Sequence, residues 1–397
     1  MDIIEEDIKS HVFMIKDSFN IEDNKIISVK SKYAWVYAGF ESYANSNNQT
    51  RSIFACTDEN QLMEIYKEKI KYVCDLINSV ANDDMEKLIC AMEFMRLMVT
   101  YEFICAPGNE NNETIKNSSH TFSGSGLNAA ITGRGICQSQ ASFCRDILNE
   151  LGIDARFYPL YGSNGDHADV LVENQGILDP TNYIGSINTL AGGHLFKEYG
   201  LEGKFSDFTF LDKSIFENCK SRFQKELIKS LGIDKISELL GFDKLNQDDK
   251  QFAIWYLITK NIEILDLPIN STTIKVAGNS IEISNLLELF YTANNIPFKR
   301  DETVKGKFEH EYYPVYKTVI KDKNVKIIPR IIMGIKPDKT RGITPISYDE
   351  SLSNYEVYTD DFIRVKQVID GYGIDLNNIF QSVDDSSKLT ELSQKKR

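Results

Sequence analysis

The sequence predicts an α+β protein with two lobes, and three observations lead to that prediction. Between residues 57 and 99, apolar side chains recur at three- and four-residue steps, which is the pattern of amphipathic helices. Residues 155–182 instead contain short strand-like runs separated by turn-forming residues. The chain has 397 residues, 42% of them hydrophobic and 26% charged, so it has globular composition and enough length for two cores.

Composition and charge exclude several classes of protein. The most apolar stretch, residues 88–99, is interrupted by Glu93 and Arg96, so no membrane-spanning segment is predicted. The acidic N-terminus lacks the basic start and apolar stretch of a secretory signal, so we expect a cytoplasmic protein. The net charge of −13 would repel nucleic acids and anionic membranes over most of the surface, and we expect neither as a partner.

The cysteines are typical of free thiols in a reducing compartment. There are seven, an odd number, and no two of them form a Cys-x-x-Cys pair. A zinc finger or ribbon is therefore not expected, and we predict neither a metal nor another cofactor.

Two helices are predicted in the first part of the chain. One carries the apolar positions from Leu62 to Val80 and ends at the polar residues 82–84. The second carries an apolar stripe from Leu88 to Val99, whose methionines we interpret as core filler. Residues 106–126 are rich in Gly, Asn and Ser, which predicts a loop long enough to have a functional role or to be mobile.

A third helix is predicted to begin at Cys137 and to end before Gly152, a typical C-terminal stop. A thiol in the first helical turn meets unpaired backbone N–H groups and the positive end of the helix dipole, which favour the thiolate. The same N–H groups could hold the oxyanion of a tetrahedral intermediate. One face of this helix carries five side chains at helical spacing: Cys137, Ala141, Cys144, Leu148 and Leu151. Because Cys144 lies two turns deeper, we interpret it as structural.

The strands after this helix bring a histidine and an aspartate together. Residues 155–161 are predicted to form one strand, and His167 begins a second strand that ends at Val172. The chain then returns toward Asp179, where Pro180 ends the last strand and fixes the direction of the carboxylate. Since a hairpin places the start of one strand near the end of the next, His167 and Asp179 are expected to be neighbours.

A cysteine, a histidine and an acid in this order are what thiol catalysis needs. A neutral thiol is a weak nucleophile until an imidazole takes its proton, and the imidazole needs a partner at its other nitrogen. Each residue alone also fits a simpler interpretation: Cys137 as a core side chain, His167 as a satisfied strand residue and Asp179 as a turn former. A metal site made of these three residues lacks a fourth ligand, so we do not predict one.

Four motifs in this region resemble the transglutaminase-like superfamily, whose core is papain-like. They lie within residues 85–185, in the order and spacing of the family: Gly-Arg-Gly-Ile-Cys-Gln-Ser-Gln-Ala at 133–141, Leu-Gly-Ile-Asp-Ala-Arg at 151–156, His-Ala at 167–168 and Leu-Asp-Pro-Thr-Asn at 178–182. The resemblance implies an α+β fold in which the Cys137 helix packs on an antiparallel sheet. It also implies that Cys137 is the nucleophile, His167 the general base and Asp179 the orienting acid.

One position departs from the family, whose members usually carry an aromatic residue two positions after the histidine. Here that position is Asp169, on the same strand face as His167, so we expect it at the mouth of the site, selecting positively charged substrates. An exposed residue that only faces solvent is the alternative. Gln138 and Asn128 are further candidates for contacting the substrate or completing an oxyanion hole.

A weaker signal repeats 143 residues further along the chain. Adding 143 to the three triad positions gives a serine, a histidine and an aspartate: Ser280, His310 and Asp322. We interpret this as a degenerate second copy of the first lobe, because a serine hydroxyl would be poorly activated by the same arrangement. Residues 299–341 hold twelve Lys or Arg against six Asp or Glu, which predicts either a solvated surface or a docking site for an acidic partner.

The predicted organisation is an N-terminal extension, a transglutaminase-like catalytic domain, a degenerate second domain and a polar tail, at residues 1–55, 56–215, 216–383 and 384–397. The expected activity is attack by the Cys137 thiol on a carboxamide or peptide carbonyl of a protein or peptide substrate, giving a thioester. Protease, deamidase and transglutaminase all remain open. The alternative is a non-catalytic binding or scaffold protein that retains the fold.

Overall fold

The structure is a computed structural model, and the part of the chain it describes falls into two compact units. These are Met1–Glu226 and Leu227–Arg397, so the boundary lies eleven residues after the predicted end of the first domain at residue 215. The described residues are 19–22, 25–29, 59–101, 126, 129–130, 133–162, 165–173, 176–183, 190, 212–264, 273–276, 279–305, 312–328, 344–347, 364 and 367. Several predictions lie outside them: the loop at 106–125, Asn128, His310 and the tail at 384–397.

The predicted α+β class is confirmed. The described residues contain seven α-helices and small sheets that are antiparallel, apart from one short parallel pair. None of the helices in this part of the chain has an apolar stretch long enough to cross a bilayer.

Unit 1 begins with a hairpin and two helices and continues into the segment that carries the sequence motifs. Its elements are β1 (Phe19–Glu22), β2 (Lys25–Val29), α1 (Glu59–Asn78), α2 (Asp84–Met98), β3 (Thr100–Tyr101), β4 (Arg134–Gly135), α3 (Cys137–Glu150), β5 (Ala155–Gly162), β6 (Gly165–Val172), β7 (Gly176–Leu178) and α4 (Lys213–Ser230), which crosses the unit boundary.

The predicted break between the first two helices is confirmed, and its polar residues cap α2. The Asp83 side chain accepts a hydrogen bond from the Glu86 backbone N–H at 2.8 Å. The Glu86 carboxylate in turn accepts from the Asn82 backbone N–H at 2.7 Å. Such reciprocal bonds satisfy N–H groups that a helix start otherwise leaves without partners.

Helix α3 lies at the centre of unit 1, packed against α1 and α2 and against strands β5 and β6. Phe143 meets Phe94 of α2 edge to face, with ring centroids 6.2 Å apart. Tyr66 of α1 lies beside Phe143 as well and donates a hydrogen bond to Asp146 Oδ2 at 2.7 Å. Met92 and Met95 of α2 are buried among these apolar groups, so their interpretation as core residues is confirmed. This packing fixes the α3 axis relative to the sheet.

Unit 2 repeats the order of a helix, a short strand pair, a second helix and an antiparallel sheet. Its elements are α5 (Ile233–Leu239), a 3₁₀ turn (Phe242–Lys244), α6 (Gln247–Ile264), β8 (Thr273–Val276), β9 (Asn279–Glu282), α7 (Ile283–Ala293), β10 (Lys299–Lys305), β11 (Tyr312–Ile320), β12 (Lys323–Ile328) and β13 (Thr344–Ser347). Strands β10 to β13 follow one another in a single sheet.

The C-terminal ends of helices α3 and α7 lie 143 residues apart, as the sequence offset predicts. In α3 the chain leaves through Gly152 at φ 82°, and in α7 through Asn295 at φ 55°. The N–H of Ile153 donates to Leu148 O at 2.9 Å, and the N–H of Ile296 donates to Tyr291 O at 2.9 Å. Both helices therefore end in the same left-handed cap, which glycine and asparagine tolerate best.

The offset fails at the start of α7. Ser280 lies in strand β9, where it pairs with Lys275, and α7 begins only at Ile283. Cys137, by contrast, is the first residue of α3. Ser280 therefore does not have the helix-start position of Cys137, because α7 begins three residues after it.

The offset fails again in the sheet that follows. Arg156 pairs with Leu171, but Lys299, which lies 143 residues after Arg156, pairs with Lys317. The hairpin of unit 2 is therefore three residues longer. Asp322 lies in the exposed turn between β11 and β12, at φ 61°, so its predicted match to Asp179 is wrong.

Candidate active site

Strand β4 and helix α3 together place Cys137. Gly135 of β4 pairs with Tyr101, which comes shortly after α2, so the chain enters α3 from a fixed point. The Gln140 side chain then donates to Gly135 O at 3.2 Å and ties the first turn of α3 back to that strand. Ile136, the N-cap residue, provides no side-chain hydrogen bond to the helix. Helix geometry leaves the first-turn N–H groups without intrahelical acceptors, so those of Cys137 and Gln138 can serve an incoming anion.

The turn after α3 sets the position of the sheet relative to the thiol. Besides the left-handed cap at Gly152, the Asn149 side chain makes two hydrogen bonds to the backbone of Ala155, at 3.0 and 3.1 Å. These bonds hold the first residue of β5 against the last turn of α3. The helix and the sheet are thus joined at one end, with Cys137 at the other end of the helix.

The register of the sheet brings His167 and Asp179 together, as the hairpin pattern predicted. His167 of β6 pairs with Leu160 of β5. On the other side of β6, Val170 pairs with Leu178, and Asp179 is the next residue after that strand. The Nε2 atom of His167 lies 3.3 Å from Oδ2 of Asp179.

Asp179 is fully buried and is held by a dense set of hydrogen bonds. Its Oδ1 accepts from the backbone N–H groups of Thr181 and Asn182, both at 3.0 Å. Its Oδ2 accepts from the Asn182 side-chain amide at 2.9 Å. Its own N–H donates to Leu190 O at 2.9 Å. The role of Asn182 in fixing the carboxylate was missed from the sequence, although the Asp-Pro-Thr-Asn motif contained its signal.

Cys137 and His167 meet at the junction of α3 and β6. The two side chains are hydrogen-bonded to each other. Cys137 is 9% exposed and the His167 side chain is 10% exposed, so the pair lies just beneath the surface. The structure thus brings together the three residues of the predicted triad, with the imidazole between the thiol and the carboxylate.

Asp169 is not where the sequence interpretation expected it. Asp169 is 1% exposed, and its Oδ1 lies 3.1 Å from Nε2 of His167. The solvent-facing alternative is therefore wrong, and the Asp169 carboxylate lies beneath the mouth of the site, against His167. The same-face spacing on the strand did place it beside His167, but its burial was not visible in the sequence.

The buried charges shift the protonation equilibria of the cluster. Burial lowers the pKa of His167, but its close contacts with Asp169, Asp179 and Cys137 outweigh burial and raise that pKa well above its usual value. Burial, followed by the nearby charge of Asp179, raises the pKa of Asp169 to about 7, and His167 acts in the opposite direction. The cluster therefore favours the charged form of the imidazole, and the pKa of Asp169 lies near neutrality.

The other described cysteines are unsuited to nucleophilic chemistry or lie away from the cluster. Burial raises the pKa of Cys144 to about 12 and that of Cys74 to about 12. Cys90 lies 3.6 Å from Cys219, sulfur to sulfur, and this contact raises the pKa of Cys90 strongly. The interpretation of Cys144 as structural agrees with its complete burial. Cys56 and Cys105 lie outside the described residues.

One set of side chains in the described part of the chain could also hold a cation. One nitrogen of His167 and one carboxylate oxygen each from Asp169 and Asp179 all lie within 4.8 Å of one another. Histidine and carboxylate ligands suit several divalent metals. In this arrangement, however, Asp179 already accepts three hydrogen bonds, and His167 is engaged with Cys137.

The remaining candidate residues do not join the cluster in the described structure. Gln138 is exposed in the first turn of α3, beside Cys137, where it could contact a substrate. Ser280 and Asp322 occupy a strand and a turn of unit 2, and Asn128 and His310 are outside the described residues.

Comparison of the chain with protein-family models, with curated proteins and with solved structures found no match in any of the three.

Proposed function

We propose that unit 1 is a cysteine-dependent acyl hydrolase or acyltransferase that acts on carboxamide or peptide bonds of protein or peptide substrates. The observation that carries the proposal is the line of three groups in one buried cluster: the thiol of Cys137, the imidazole of His167 and the carboxylate of Asp179. A helix that begins with the thiol and packs on an antiparallel hairpin also supports a papain- or transglutaminase-like core.

The proposed reaction begins from the thiolate of Cys137 and the charged imidazole of His167. Nε2 of His167 faces the carboxylates, which leaves Nδ1 to hold the proton that the Cys137 thiol has given up. The thiolate attacks the carbonyl carbon, and the oxyanion that forms is stabilised by the N–H groups of Cys137 and Gln138 at the start of α3. His167 then returns the proton to the leaving amine or ammonia, and a thioester remains on Cys137.

The second half of the reaction decides the outcome. Water or a primary amine approaches the thioester, His167 removes its proton, and the acyl group leaves the sulfur as an acid or a new amide. Water gives protease or deamidase activity, and an amine gives transglutaminase activity. All three outcomes share the same residues and require no cofactor in this mechanism.

The proposal for unit 2 is a catalytically silent copy of unit 1. Its support is the shared order of elements and the common cap of α3 and α7. The excess of positive charge at residues 299–341 suits a silent lobe that contacts acidic partners, and such an attraction weakens with added salt.

The decisive experiment traps the thioester without knowing the natural substrate. The full-length chain is incubated with a mixture of glutamine-containing peptides and hydroxylamine, and mass spectrometry detects hydroxamates and cleaved or deamidated peptides. We expect products with wild type and none with Cys137→Ala. EDTA should leave the rate unchanged. Loss of activity with EDTA and its return with Zn²⁺ would contradict thiol catalysis and favour a metal held by His167, Asp169 and Asp179.

The reactivity of the Cys137 thiol distinguishes an enzyme from a non-catalytic binding or scaffold protein. Iodoacetamide labelling, followed by peptide mapping, measures how fast each cysteine reacts between pH 5 and 9. A Cys137 that reacts no faster than Cys144 at pH 7 would overturn the proposed function.

A further inference from the structure

Two carboxylates converge on one imidazole nitrogen, although the proposed reaction needs only one. Oδ1 of Asp169 lies 3.1 Å and Oδ2 of Asp179 lies 3.3 Å from Nε2 of His167. Their side chains are 2% and 0% exposed. Burying two carboxylates so close together is unfavourable unless one of them is protonated or a positive charge lies between them. Nε2 of His167 lies within 3.3 Å of both, so the imidazole in its charged form supplies that positive charge.

The two carboxylates are held in different ways. Asp179 is fixed by three hydrogen bonds from Thr181 and Asn182. Asp169 is on the same strand as His167, two residues further along, so its position is fixed by the strand itself. Asp179 is thus a rigid acceptor, whereas the charge state of Asp169 is free to respond to pH.

We propose that Asp169 is a positioning residue that, together with Asp179, keeps the imidazole of His167 in its charged form and thereby keeps Cys137 as the thiolate. This inference rests on the proposed function, because it assigns a task within the same thiol–imidazole pair. It replaces the predicted substrate-selecting role of Asp169 with control over the pH range in which the thiol reacts.

The groups around Asp169 set the direction of the pH response. His167 and Asp179 are the charges that act on it. Tyr158 pairs with it across β5, and Cys137 and Cys144 lie on α3, which packs on the same sheet. The pKa of Asp169 is raised to about 7, so its carboxyl loses a proton as the pH rises through neutrality. The new negative charge favours the imidazolium, and the reactivity of Cys137 should therefore increase through pH 7.

The test compares iodoacetamide labelling of Cys137 in wild type, Asp169→Asn and Asp154→Asn. Asp154 is an exposed aspartate of the same unit, so its variant removes the same charge without touching the cluster. We expect Asp169→Asn to label about tenfold more slowly at pH 7 and to lose the increase through neutrality, because an opposite charge at this distance shifts such equilibria by about one unit or more. Asp154→Asn should match wild type. Equal profiles for wild type and Asp169→Asn would overturn the inference.

A second measurement does not depend on reactivity. The full chain is labelled with ¹⁵N-histidine, and the His167 signals are identified by their loss in His167→Gln. In wild type we expect a charged imidazole at pH 6 to 8 whose signals shift as Asp169 ionises, and in Asp169→Asn a neutral ring at the upper end of that range. A His167 that is neutral in wild type at pH 6 would overturn the inference.

The two failures can be told apart. If His167 is charged and responds to Asp169 but Cys137 labels slowly, the proposed function fails while the carboxylate pair still controls the imidazole. If Asp169→Asn does not fold, Asp169→Glu keeps a carboxyl at the position and should retain a neutral-pH step. A wild-type labelling profile without a step near pH 7 would then overturn the inference.

Discussion

Units 1 and 2 place the same order of elements around very different polar groups. In unit 1 the junction of α3 and the sheet holds a thiol, an imidazole and two carboxylates. In unit 2 the corresponding helix, α7, carries Glu288, whose carboxylate accepts hydrogen bonds from Arg300 at 3.2 Å and from Tyr316 at 3.1 Å. The buried carboxylate of Glu288 thus accepts from a guanidinium and a phenol, whereas Asp179 lies beside an imidazole.

The interior of unit 2 confirms this contrast. Trp255 of α6 donates to the Tyr291 hydroxyl at 3.1 Å, and the Gln251 side chain donates to Val319 O at 3.0 Å. These bonds tie α6 to α7 and to β11 with neutral groups. Buried polar groups of this kind specify a fold when they are fully paired. In the described part of unit 2, these bonds join the two helices and the sheet through uncharged groups.

The difference can be traced to register rather than to fold. Leu171 pairs with Ile177 in unit 1, and its counterpart Lys317 pairs with Lys326 in unit 2. Two residues further along, the position that corresponds to Asp179 is therefore Ile328. Two successive hairpins of unit 2 are each three residues longer than those of unit 1, so this position falls six residues after Asp322 and is held by an isoleucine.

The largest expected effect comes from removing the nucleophile. Cys137→Ala should lower product formation by at least about 10⁴-fold, because no other described group can form the thioester. Cys144→Ala, two turns further along the same helix, is the matched control and should keep most of the activity. In unit 2, Ser280→Ala should leave turnover unchanged. A comparable loss in Ser280→Ala, measured in the hydroxylamine assay, would show that unit 2 is not silent.

A smaller loss is expected when the orienting carboxylate is replaced. Asp179→Asn puts an amide where Nε2 of His167 needs an acceptor, so turnover should fall by about 10²-fold, the lower end of what general acid–base catalysis contributes. Asp212→Asn is the control, since the Asp212 carboxylate also accepts two backbone hydrogen bonds but precedes helix α4. Steady-state kinetics should show the loss in kcat with KM little changed. An unchanged kcat would exclude an orienting role for Asp179.

Placing a thiol in unit 2 tests whether the architecture alone activates it. Ser280→Cys, combined with Cys137→Ala, should give no measurable turnover and an introduced thiol that labels like a free cysteine, half-maximally near pH 8.5. The physical reason is that residue 280 belongs to strand β9 and lies before the first turn of α7. Labelling below pH 7 at this position would show that unit 2 retains an activating partner.

The sequence predicted those parts of the molecule that depend on local patterns. The bounds of α3, the cap at Gly152 and the hairpin that joins His167 to Asp179 all follow from side-chain spacing and turn residues within about forty positions. The match of Ser280 and Asp322 to the triad failed because it assumed a constant offset through a hairpin, and strand register depends on loop length. The burial of Asp169 depends on tertiary packing of α3, which no local pattern contains.

The smallest expected effect is on the free energy of unfolding. It shows whether the buried carboxyl of Asp169 destabilises the folded chain. An aspartate in the unfolded chain titrates near pH 3.9, whereas burial raises the pKa of Asp169 to about 7 in the folded protein. Between these values the folded chain binds the extra proton, so wild-type stability falls as the pH rises from about 4 to 7. Asn cannot titrate, so Asp169→Asn should gain stability over wild type between pH 5 and pH 8, and Asp154→Asn should not. Hydrogen exchange of the β6 amides in increasing urea measures the free energies of unfolding of wild type and Asp169→Asn. If the difference between the two does not change with pH, ionisation of Asp169 does not destabilise the folded chain.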